Sequence, residues 1–220
     1  MSGSHDATPS TTVTIAIGTV GLPGILAVPG GACGIVLFAH GSGSSRLSPR
    51  NAFVAAALRA AGMATLLFDL LTEEEAADRR RVFDIPLLGR RLRTAAEWVR
   101  SDRRTDGLPV GYFGASTGAG AALAAAADDP AIRAVVSRGG RPDLAGDVLP
   151  AVRAATLLIV GGDDGPVIGM NEWALARLQC EKRLVIVPGA GHLFEEPGTL
   201  EAVVALAREW YRKHLPPPTA

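Results

Sequence analysis

Short, largely apolar runs recur along this chain, and segments of helical periodicity separate them. The runs are GIVLFA at 34–39, ATLLF at 64–68, VGYF at 110–113, IRAVVS at 132–137, TLLIV at 156–160 and RLVIV at 183–187. A strand that is apolar at every position is covered on both faces, and parallel neighbours need helical crossovers between them. The alternation therefore predicts an α/β fold, with a mostly parallel sheet and helices on both sides. In such sheets the working groups collect in loops beyond the carboxyl ends of the strands.

The helices have their own signals. Ser48 and Pro49 stand as N-cap and first residue of a helix that Gly62 stops. Ile85, Leu88, Leu92, Ala95, Ala96 and Val99 recur at three- and four-residue spacing, which predicts a helix over 84–101. Small residues fill a helix at 116–127, and further helices cover 168–180 and the segment bearing Leu200, Val203, Val204, Ala207, Trp210 and Tyr211. Before the first apolar run, 12–17 and 24–28 read as a hairpin with its turn at Gly21-Leu22-Pro23. One domain over 12–215 is expected, with loose tails at 1–11 and 216–220.

Composition narrows the function. Lys and Arg number 22, as do Asp and Glu, so the formal net charge is zero. Such a chain is a poor wrapper of nucleic acid or coat for an anionic membrane. Two cysteines, Cys33 and Cys180, make neither a disulfide framework nor a four-ligand zinc site. No His/Cys/Asp cluster has metal spacing, so no metal is expected. Gly118-Ala119-Gly120 continues as Ala-Ala-Leu rather than as a dinucleotide fingerprint, and no Gly-Lys-Ser/Thr of a P-loop occurs, so no cofactor is expected. The polar first dozen residues show no signal peptide, and the apolar run 118–127 is shorter than the ~18 residues of a membrane span. A reducing cytoplasm is the expected location.

The strand ends then carry the chemistry. The run 110–113 leads into Gly114-Ala115-Ser116-Thr117-Gly118, a G-x-S-x-G between a strand and a helix. That is the context of a nucleophile elbow, where a serine sits on a strained turn and its crowded neighbours lack side chains. A serine needs a base. His192 lies in Pro188-Gly189-Ala190-Gly191-His192, directly after the last strand. The base needs an orienting carboxylate, and the strand 156–160 ends in Gly161-Gly162-Asp163-Asp164, where either Asp could serve. The oxyanion donors expected are the backbone amide of Thr117 and one amide of His40-Gly41-Ser42-Gly43-Ser44-Ser45, either Ser42 or Gly43, with Ser42 preferred. His40 itself reads as a structural ring tying that loop down.

HGSGSS (40–45), GASTG (114–118), GGDDGPV (161–167) and GAGHLFEEPG (189–198) together resemble the dienelactone-hydrolase-like branch of the α/β-hydrolase superfamily. The resemblance spans roughly 12–215. It implies an eight-stranded sheet and esterase-type hydrolysis, and its acid pattern G-x-x-D-x-x-V falls on Gly161, Asp164 and Val167, which selects Asp164. Dienelactone hydrolases proper use a cysteine nucleophile, whereas this elbow carries Ser116, so a serine carboxylesterase is the reading. A non-catalytic ligand-binding member of the fold, or a thioesterase, lactonase or perhydrolase with the same triad, is the alternative.

The remaining signals are weaker. Arg79-Arg80-Arg81 and Arg90-Arg91 are interleaved with Glu73-Glu74-Glu75, Asp78 and Asp84, which reads as a solvated, charge-paired surface rather than a nucleic-acid patch. Arg46, Arg138 and Arg141 follow strand ends and read as loop anchors through salt bridges rather than as substrate contacts. Residues 138–155 are too few for both a crossover helix and a lid, so an open site is expected, with 70–84 the segment that could border it.

Overall fold

The computed structural model describes residues 8–216. Eight strands form one sheet: β1 (Ser10–Ile17), β2 (Val20–Ala27), β3 (Ile35–Ala39), β4 (Ala64–Phe68), β5 (Val110–Ala115), β6 (Ile132–Arg138), β7 (Ala155–Gly161) and β8 (Lys182–Val187). Their order is β1-β2-β4-β3-β5-β6-β7-β8. β1 and β2 run antiparallel to their neighbours, and from β4 to β8 every pairing is parallel. The crossovers include helices α1 (Pro49–Ala60), α2 (Glu73–Ala76), α3 (Arg79–Val82), α4 (Ile85–Ser101), α5 (Thr117–Ala127) and α6 (Gly165–Arg177), and α7 (Thr199–His214) closes the described chain. This is the α/β-hydrolase fold.

Every residue of β3, β4, β5 and β7 is buried, as the unbroken apolar runs require. One face packs on α4, α5 and α6, with Leu37, Leu66, Tyr112, Val135 and Leu158 pointing into it. The other packs on α1 and α7, with Val36, Phe38, Phe113, Val136 and Ile159. The Ser48 cap of α1 acts as read, accepting a hydrogen bond from Asn51 N, and α4 has a cap that the sequence reading did not name, Asp84, which accepts one from Leu87 N. Tyr211 of α7 donates its hydroxyl to the Tyr112 carbonyl at 2.6 Å, pinning the last helix to a central strand.

Three elements differ from the sequence reading. The hairpin turns at Gly18 and Thr19, with Gly18 at φ 59°, so Gly21, Leu22 and Pro23 lie inside β2. Pro23 is tolerated because its carbonyl, and therefore its missing N–H, faces the β4 side just past the end of that ladder. Ser10 and Thr11, placed in the tail, pair with Ala27 and Leu26. The residues 1–7 and 217–220 of the expected tails lie outside the described residues. The third difference is the short crossover after β6, which forms a 3-10 segment at Pro142–Ala151, kinked at Gly146. No lid is inserted there.

Candidate active site

The strand register brings the motif loops to one end of the sheet. Ala39 pairs with Gly114, Ala115 with Arg138, Arg138 with Ile159, and Gly161 with Val187. The serine, aspartate and histidine loops therefore leave the same edge.

Ser116 is the pivot between β5 and α5. Its backbone lies at φ 51° and ψ −124°, a combination that side chains rarely adopt. The glycines around it are sterically required. A Cβ at Gly118 would stand 2.1 Å from the Ala39 carbonyl oxygen, and one at Gly114 would stand 2.4 Å from Ala119 Cα. The hydrogen bonds of the turn hold it from both sides. Ala119 N and Arg141 N both donate to the Ser116 carbonyl at 3.0 Å. The first residue of α5, Thr117, is buried, and the glycine-rich loop after β3 touches the turn from above: a Cβ at Gly41 would meet Ser116 Cβ at 2.9 Å.

His192 Nδ1 donates to Asp164 Oδ2 at 2.7 Å. Asp163, the other candidate, is exposed and makes its loop contact through its backbone N–H, which donates to the Ala190 carbonyl. The acid and histidine loops interlock here, since a Cβ at Gly161 would stand 2.2 Å from the Ala190 oxygen. Asp164 is the N-cap of α6, so its carboxylate is held at the start of a 13-residue helix.

His40 bridges two loops. Its Nδ1 donates to the Gly41 carbonyl at 3.0 Å, and its Nε2 accepts from Leu70 N at 3.1 Å. Burial lowers its pKa, which keeps the ring neutral and able to accept. Ser42 is exposed at the tip of the same loop. Arg46 pairs with Asp69 and Arg141 with Asp143, so both serve as anchors. Arg138 differs: it is buried and has no carboxylate partner among the described residues, its guanidinium lying over the Phe194 ring.

A cavity of about 340 Å³ opens beside the elbow, lined by Ser42, Gly43, Ser44, Ser45 and Thr117 on one side and by Leu70, Leu71, Ala76, Val82 and Leu88 on the other. All of the apolar wall but Leu88 comes from 70–84, which folds into α2 and α3. Glu75 holds it. Its carboxylate accepts from Arg91 Nη1 at 2.6 Å and Nη2 at 2.7 Å, from Arg81 Nη1 at 2.9 Å and from Thr72 N at 3.0 Å. The Arg91 hydrogen bond is the main reason its pKa falls to about 2. The solvated surface expected for these charges therefore exists only in part, because Arg91 is buried and also donates to the Leu70 carbonyl. Sequence spacing could not show this, since Glu75 and Arg91 lie on different helices.

Among the described residues, no group of three or more His, Cys, Asp or Glu could hold a metal ion. No helix there is long and apolar enough to cross a membrane.

A crystal structure of dienelactone hydrolase from Anabaena variabilis is 60% identical, with a TM-score of 0.91, over 94% of this chain and 99% of that one. The chain belongs to the dienelactone hydrolase family. An α/β serine hydrolase without lid from Xanthomonas campestris has a TM-score of 0.78 at 24% identity, over 96% of each chain, a likeness of fold. A Mycobacterium tuberculosis protein provisionally named a phosphoribosyl transferase is 59% identical over 204 residues, 92% of this chain. The chain spans about half that relative's length, 46%. No protein-family model matches.

Proposed function

We propose that this dienelactone hydrolase family member is a serine carboxylesterase acting on small, uncharged, short-acyl esters. The observation that supports the reading is a His192 imidazole oriented by Asp164 at 2.7 Å, on a loop that leaves the same end of the sheet as the strained Ser116 elbow. His192 Nε2 takes the Ser116 hydroxyl proton as Oγ attacks the ester carbonyl carbon. The tetrahedral oxyanion is met by the Thr117 amide at the start of α5 and by the Ser42 amide, or that of Gly43 beside it. The imidazolium returns the proton to the leaving alkoxide, which departs as the alcohol and leaves an acyl-enzyme. Water, deprotonated by the same ring, then releases the acid and restores Ser116. Asp164 keeps the proton on Nδ1, so that Nε2 is the free acceptor.

The cavity supports the substrate class. No arginine is among the residues that line it, and Arg46, Arg81 and Arg91 on the neighbouring segments are engaged by carboxylates of the chain. A volume near 340 Å³ suits a short acyl or alkyl group. The phosphoribosyl transferase name belongs to a chain about twice as long, of which this chain matches 46%.

The test is labelling with a fluorophosphonate, with the modified residue read by mass spectrometry, alongside turnover of p-nitrophenyl acetate. The expected adduct is on Ser116, and Ser116→Ala should lose on the order of 10⁴–10⁶ in kcat. An adduct elsewhere, or an active Ser116→Ala, overturns the reading.

A further inference from the structure

We propose that Arg138 and Phe194 form a clamp beneath the histidine loop that sets the position of His192 over Ser116. The proposal rests on the role given above to His192. His192 and Leu193 are the central residues of a turn that closes when Phe194 N donates to the Gly191 carbonyl at 3.3 Å. Phe194 ends that turn at φ 55°, one of two non-glycine residues at positive φ among those described, the other being Ser116. A phenylalanine holds that conformation only where its surroundings over-determine it.

The surroundings are specific. The Phe194 ring is 2% exposed, and the Arg138 guanidinium lies 5.9 Å from its centroid. Arg138 is the last residue of β6, it is 6% exposed, and its Nε has no hydrogen-bond partner. Burial lowers its pKa to about 10, and the nearby Arg50 pushes in the same direction. A buried cation without a carboxylate is costly, and here the face of an aromatic ring is its partner. The next residue completes the seat. Gly139 is at φ 50°, and a Cβ there would stand 2.8 Å from the His192 carbonyl oxygen, so the loop rests directly on the end of β6. The Arg138 carbonyl accepts from Ser116 N at 3.4 Å. One residue thus touches the nucleophile's backbone through its main chain and the histidine's turn through its side chain. The outer ties are Gly191 N to Glu196 Oε2 at 3.1 Å and Arg50 Nη1 to Glu195 Oε1 at 2.9 Å.

Arg138 and Phe194 are positioning residues, because they act through His192. Small errors in the placement of a reacting group cost rate rather than binding, on the order of 10²-fold for a displacement of about 1 Å. Arg138→Met keeps length and removes the charge, Arg138→Lys keeps the charge, and Phe194→Leu approaches the same contact from the other side. Each is assayed with p-nitrophenyl acetate for kcat and KM, for thermal midpoint, and again in a His192→Ala background. Arg138→Met and Phe194→Leu should each lose roughly 10- to 10²-fold in kcat at an unchanged KM. Arg138→Lys should recover part of that loss, and neither change should reduce the residual activity left by His192→Ala further. An unchanged kcat in Arg138→Met and Phe194→Leu overturns the clamp, as does an equal loss with and without His192. Full activity in His192→Ala alone would instead overturn the assignment of the base.

Discussion

Glu75 ties the α2 side of the cavity's apolar wall to α4, and Glu75→Gln tests that tie. Both Arg91 and the carboxylate lie largely out of solvent, with side-chain exposures of 6% and 14%. The carboxyl's pKa stands at about 2 against an ordinary 4.5. At about 1.36 kcal/mol per pH unit, that displacement corresponds to roughly 3 kcal/mol of preference for the ionised form in the folded chain. Leaving a buried charge without its partner costs a similar ~3–5 kcal/mol. The glutamine keeps an acceptor for Thr72 N but presents an amide to a guanidinium, so a loss of about 2–3 kcal/mol is expected. For a chain of this size that is a fall of about 5–10 °C in thermal midpoint. The ionised carboxylate's contribution is complete above the unfolded pKa of 4.5 and is lost as pH falls towards the folded value of about 2. The stability gap between wild type and variant, read from urea midpoints, should therefore be constant above about pH 5 and shrink as the pH is taken down to about 3. Because α2 and α3 carry Ala76 and Val82 into the cavity, KM for p-nitrophenyl butyrate should rise while kcat changes little. A variant within about 1 °C of wild type with unchanged KM would refute the role given to this carboxylate.

Asp164→Asn should lower kcat far more than Asp163→Asn, because only Asp164 meets the imidazole; steady-state kinetics of the two variants decide it. Ser116→Gly should abolish turnover yet raise stability by about 1–2 kcal/mol in urea unfolding, since glycine relieves a φ of 51° that serine holds under strain. Rates on p-nitrophenyl esters should be highest for short acyl chains and fall beyond about six carbons, because a longer chain outgrows the cavity and gains little burial at ~0.8 kcal/mol per CH₂. A steady climb to dodecanoyl esters, or a jump in rate on emulsions, would contradict that view of the pocket.

Much of this molecule is legible in its sequence because the signals are local. The apolar runs of β3, β4, β5 and β7 declare strands covered on both faces, and Ser48-Pro49 and Gly62 mark the ends of α1 by their own backbone preferences. The elbow is legible for the same reason: Gly114, Ser116 and Gly118 sit within five residues, although the crowding that requires glycine at 118 comes from the end of β3. Where a choice depended on contacts between distant segments, the sequence was silent or ambiguous. Asp163 and Asp164 are neighbours of identical chemistry, and only the interlocking of the β7 and β8 loops turns one to the imidazole and the other to solvent. The hairpin turn fell at Gly18 and not at Gly21-Leu22-Pro23, and Pro23 sits in β2 just past the end of its ladder with β4, a placement only the pairing of the strands shows. Arg91 looked like one of many surface charges until α2 folded back and set Glu75 on it. Arg138 read as a salt-bridged anchor, yet its partner is a ring 56 residues later in the chain, brought there by a turn that pattern and propensity do not encode. Strand and helix follow from the order of side chains along the backbone. Which charges become buried, and against what, follows from how the elements pack.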